Sequence, residues 1–176
     1  MKNQERPAPG FSLVEVIIAV GIFALAVSVM LALLPGLARQ AASAAETLAA
    51  LRLPDAVRLE LQRVATAGGF DALASRTIPM TLPLPATLTL VAARDATQVQ
   101  TLDYLPPSWA GQIVEAEHYF LIEVWSFSAA PLVFDPAGAG LALQVRVSWP
   151  YRTPNSPAPT PLAEREVVTF SLSLLR

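Results

Sequence analysis

The chain is expected to be an α+β protein: a long N-terminal helix, half membrane-spanning and half amphipathic, packed on a C-terminal antiparallel β-sheet of four or five strands. Three observations carry that expectation. Residues 11–34 form a long apolar run, residues 37–53 are rich in strong helix formers without Gly or Pro, and after Gly69 the pattern changes to two-residue alternation. With 176 residues, the chain has room for one membrane segment and one modest domain built around a single core.

The apolar run comes first. From Phe11 to Leu34, all but Ser12, Glu15 and Ser28 are aliphatic, aromatic, Gly or Met. A helix of that length rises about 36 Å against roughly 30 Å of hydrocarbon, so it can span a bilayer with some tilt. It is too long for a secretory h-region; Ala24-Leu25-Ala26 has the look of a signal-cleavage site, yet more membrane-type sequence follows it. Lys2 and Arg6 precede the span and the next basic residue is Arg39, which favours a cytoplasmic N-terminus, an inner-membrane span and a periplasmic C-terminal domain.

Glu15 is the anomaly in this run, because a carboxylate in a membrane segment is costly and calls for a partner. It follows a short polar leader that ends in Gly10, and then Phe11, Ser12, Leu13 and Val14. This arrangement resembles the class III signal of type IV pilins and type II secretion pseudopilins, in which a charged leader ends in Gly before Phe or Met and a Glu stands at the fifth mature position. The resemblance covers residues 1 to about 35. It implies a cut between Gly10 and Phe11 by a prepilin peptidase, N-methylation of Phe11, and an assembly role for Glu15, whose carboxylate would pair with the Phe11 amine of a neighbouring subunit. Gly10 suits an extended backbone in a protease site, and Pro7 and Pro9 keep the leader out of the helix. The implied organisation is a leader over 1–10, a transmembrane and assembly helix over 11–35, a helical continuation over 36–68 and a periplasmic or extracellular β-rich domain over 69–176. The subunit resembles minor pilins of the PilV type or I-type pseudopilins more than a major subunit.

Past the span, Pro35-Gly36 is expected to close the apolar run and to kink or locally melt the helix, and Pro54-Asp55 to interrupt it again, by a kink or by the start of a second helix. The pattern DAVRLELQRVA places Val57, Leu61 and Val64 on one face, and Gly68-Gly69 ends the helix. Strands are expected over 86–92, 97–105, 118–127, 141–149 and 165–174 from their alternation and β-branched or aromatic content. Pro106-Pro107, a turn over 135–140 and a Pro-rich connection over 150–161 separate them. Short connections without helical pattern make the sheet antiparallel.

The residues that would carry chemistry are sparse. A formal charge of −2, which becomes −3 without residues 1–10, gives no basic patch for nucleic acid. There is no cysteine, hence no disulfide, thiolate nucleophile or thiolate metal site. His118 is the single histidine and is read as a strand residue near Glu115 and Glu117, so neither a His dyad nor a His cluster for zinc can form. Glu115, Glu117 and Glu123 read as strand faces or loop; Asp95, Asp103 and Asp135 do not make a dense oxygen-ligand loop for calcium. Gly138 and Gly140 lack the length, Lys and helix of a phosphate cradle. Trp109, Trp125 and Trp149 read as packing residues. No cofactor, no metal and no catalysis are therefore expected. The reading is a minor pilin or pseudopilin subunit assembled into a type IV pilus or type II secretion pseudopilus with other such subunits; the alternative is a single-pass anchored periplasmic binding domain outside any filament.

Overall fold

The computed structural model describes residues 11–79, 86–102, 113–153, 156 and 158–176. They form helix α1 (Leu13–Gly68), helix α2 (Phe70–Arg76) and strands β1 (Leu88–Ala92), β2 (Val99–Thr101), β3 (Phe120–Ser126), β4 (Gly140–Trp149) and β5 (Glu166–Leu175), with short 3-10 turns at Glu115–Glu117 and Leu162–Glu164. Two compact units divide the chain, Met1–Ala45 and Glu46–Arg176.

In the first unit every described residue up to Ala42 is exposed, including Phe11, Ile17, Ile22, Phe23, Leu25 and Met30. An apolar helix with no protein around it is the signature of a segment that takes lipid or another helix as its solvent. Ser28 satisfies its hydroxyl by donating to the Ala24 carbonyl at 2.8 Å, a bond that lets a polar side chain sit in such a helix without an outside partner.

The second unit is a helix on one face of a sheet. The strand order is β2-β1-β3-β4-β5 and every pair is antiparallel. Ala50, Leu53, Val57 and Leu61 recur at intervals of three and four on α1 and are fully buried, which sets one stripe of the helix against the sheet. Opposite them lie Leu88, Leu90 and Ala92 of β1, Phe120, Ile122 and Val124 of β3, Leu141 to Trp149 at alternate positions of β4, and Leu172 and Leu174 of β5. The α+β class and the antiparallel sheet are as expected, with all five strands present. Positions 103–105 of the second expected strand lie outside the described residues, as do Asp103, Pro106, Pro107 and Trp109.

Three expectations need correction. Neither Pro35 nor Pro54 stops the helix: α1 runs through both as one element. A Pro removes one hydrogen bond, and strong helix formers on either side of Pro35, with Leu53 and Val57 buried on either side of Pro54, hold the helix across the gap. A second helix stands ahead of the first strand, in a stretch for which no element was expected; α2 starts at once after Gly69, whose φ of 89° lets the chain turn. His118 is not a strand residue: it closes the 3-10 turn ahead of β3.

Candidate functional site

The candidate site is the start of α1, and it is built from adjacent residues rather than by tertiary folding. Gly10 lies outside the described residues; Phe11 is 87% exposed, and Glu15 sits in the first turn. Ser12 and Glu15 close on each other reciprocally. The Glu15 N–H donates to Ser12 Oγ at 3.2 Å, while the Ser12 N–H (3.1 Å) and hydroxyl (3.2 Å) donate to Glu15 Oε2. This is a capping box, which satisfies two of the amides left over at a helix N-terminus. The carboxylate also lies at the positive end of the helix dipole. Ser12 was not singled out from the sequence, although S-L-V-E ahead of an apolar run carries the signal.

Among the described residues, the box offers the Glu15 charge two hydrogen bonds from Ser12 and the helix dipole. In the uncut chain the Phe11 nitrogen is an amide. A cut between Gly10 and Phe11 would add water across that bond, leave the carboxyl on Gly10 and give Phe11 a cationic amine four residues from Glu15.

Elsewhere the side chains singled out from the sequence are held in structural roles. Glu123 of β3 faces Arg146 of β4 directly across the ladder. Arg146 Nη2 lies 2.7 Å and Nε 2.9 Å from Glu123 Oε2, both side chains are largely buried, and the guanidinium rests 4.9 Å above the Trp125 ring. Trp149 packs in the core against Phe120 at 5.6 Å, so the two tryptophans occupy opposite faces of the sheet.

His118 is 5% exposed, with Nε2 3.2 Å from the Ile113 carbonyl oxygen. Burial pushes its pKa down, the Ile113 carbonyl and Glu115 oppose that, and Arg152 adds to it. Arg152 pairs instead with Glu115, at 2.5 Å, and Glu117 lies in the same 3-10 turn. Asp95 and Asp135 each cap their own turn, through Thr97 and Ala137. Among the described residues no three of His, Asp and Glu come together as a metal site would need. Gly138 belongs to the turn and Gly140 begins β4.

No curated protein and no solved structure matches the chain. Residues 6–31 match the family described as the prokaryotic N-terminal methylation motif. The chain thus carries, ahead of an α+β domain, the class III signal typical of type IV pilins and pseudopilins.

Proposed function

We propose that the chain is the precursor of a minor pilin or pseudopilin subunit. Residues 1–10 are the leader, a prepilin peptidase cuts between Gly10 and Phe11, and the new Phe11 amine is methylated. Residues 11–35 then hold the subunit in the inner membrane with the C-terminal domain in the periplasm, and drive its assembly with other subunits into a type IV pilus or type II secretion pseudopilus. The observation that carries this reading is the methylation motif over 6–31 laid on an exposed apolar helix that is long enough to cross a membrane.

Physical chemistry gives Glu15 its part. A carboxylate in a membrane helix is costly, by about 3 kcal/mol at the centre on insertion scales and less toward the end where Glu15 sits, and the capping box relieves that cost only with neutral donors. The Phe11 amine of a neighbour would turn two costly charges into one hydrogen-bonded pair, so the cost falls only when subunits meet in register. The role is structural and requires no catalysis by this chain.

The test is intact mass with N-terminal sequencing of the protein made beside a prepilin peptidase. The expected product starts at Phe11, and replacing Gly10 abolishes the cut. Glu15→Leu is expected to leave the cut intact while removing the subunit from sheared filaments or from crosslinked assemblies. A chain that keeps Met1, or that is cut after Ala26, would overturn the proposal and leave an anchored domain outside any filament.

A further inference from the structure

We infer that the free edge of β5 is a docking edge that takes an extended strand, apolar on its core-side face, from a second, non-identical subunit held in the same membrane. The two edges of the sheet are unlike. At the β2 edge Val99, Gln100 and Thr101 are all buried, and Gln100 Oε1 accepts the Ile113 N–H at 2.9 Å, so that edge is covered. At the other edge Glu166, Val167, Thr169, Ser171, Ser173 and Leu175 are exposed, while Val168 and Phe170 on the core side are only partly covered. Among the described residues β5 pairs with β4 alone.

The backbone of this edge is a regular template. Ten opposed pairs join β4 to β5 without a bulge, and beyond them the Arg176 N–H donates to the Ala139 carbonyl at 2.9 Å. In an antiparallel ladder the direction of these groups alternates, so residues 168, 170, 172 and 174 point their N–H and C=O to β4. Those of Val167, Thr169, Ser171, Ser173 and Leu175 point outward. Free edges of this length are normally guarded by Lys, Pro or a bulge. Residues 167–175 contain no charge, no Pro and no Gly.

The same observations choose the occupant. A charge laid beside Val168 or Phe170 would be buried against apolar side chains, so the incoming strand is apolar at the alternate positions that face the core side. A second copy does not fit. Joining two β5 edges needs a two-fold axis perpendicular to the sheet, and residues 46–68 lie along the sheet face, so the axis would turn one helix end for end. Residues 46–68 of the two copies would then run in opposite directions, against the shared membrane of the proposed function, on which this step rests. A joint from β5 to the β2 edge of another copy is closed by the cover on β2. One strand pairing also buries less than the roughly 1,000 Å² of a stable interface, so the contact works between chains already concentrated in one bilayer.

The experiment places a benzophenone amino acid at Thr169, Ser171 or Ser173 of the full chain, in membranes of the organism that makes it, and maps each photoadduct by peptide sequencing. The expected result is one partner chain, not this one, with the attachment point moving two residues along it for each step of two in β5. Ser171→Pro removes an outward N–H and spares every bond to β4; it is expected to cut the adducts at least tenfold while the melting temperature stays near that of the parent. Thr169→Lys, at an exposed position, tests the same edge by charge and serves if the Pro variant fails to fold. Adducts only between two copies of this chain, adducts scattered along a partner, or none at all would overturn the inference. Intact mass of the same samples reports leader removal separately, so an adduct ladder on a chain that keeps its leader would sink the pilin reading and keep the docking edge.

Discussion

Glu123 and Arg146 show how a single pair can be indispensable without being the reason the fold is stable. Their direct opposition across β3 and β4 and the Trp125 ring beneath the guanidinium leave little water around either charge. Removing one partner strands the other: Arg146→Met is expected to cost about 3–5 kcal/mol, whereas Glu123→Leu with Arg146→Met together recovers most of it. Chemical denaturation of the three variants checks this, and equal losses in the single and double variants would refute it. His118 gives the second test at this scale. Its folded pKa is depressed below 6.5, mainly by burial, so the folded chain takes up this proton at lower pH than the unfolded chain does. Stability is therefore expected to fall as the pH drops below about 6.5 toward the folded value, because there the unfolded state binds more protons. Denaturation midpoints at pH 7.5 and 5.5 for the parent and His118→Gln should differ less in the variant.

At the scale of elements, the helix stripe and the strand alternation were readable because both are periodic and local. Val57, Leu61 and Val64 share a face at any helical pitch near 3.6 residues, and they are buried or partly buried. What escaped local reading was the weight that tertiary packing gives to weak signals. Pro54 looked like a break, yet the neighbouring buried Leu53 and Val57 hold the helix through it. The short α2 carried no stop signal of its own, and it is pinned from the far end of the chain: Arg176 Nη2 reaches Asp71 Oδ2 at 2.9 Å, and its guanidinium lies 5.6 Å from the Phe70 ring. No local pattern foretells a contact between residues 71 and 176. Gly140 shows the same thing in β4, since a Cβ there would lie 2.8 Å from the Leu174 carbonyl oxygen. Gly140→Ala is expected to destabilise the domain by about 1–3 kcal/mol through backbone displacement. Thermal melting compared with Leu162→Ala, at an exposed position, isolates that effect.

For the whole molecule, the division at Ala45 separates two kinds of stability. The core from Ala50 to Leu174 lies entirely within Glu46–Arg176, so a fragment of residues 46–176 is expected to fold cooperatively without detergent. The full chain, with its exposed apolar helix, should need detergent or lipid. Circular dichroism melting and sedimentation of the two forms would show it; a molten or aggregated fragment would mean that the N-terminal unit contributes to the core. The sequence by itself carried the N-terminal methylation motif over residues 6–31, because that signal lies within one stretch of chain and needs no distant residue. It also determined the α+β class, since periodicity is a local property. Only the tertiary structure decided which edge of the sheet is covered and which is open, which tryptophan enters the core, and how a C-terminal arginine holds a helix more than a hundred residues away. Those outcomes depend on burial and on backbone groups left unpaired, and both exist only once the strands have been ordered.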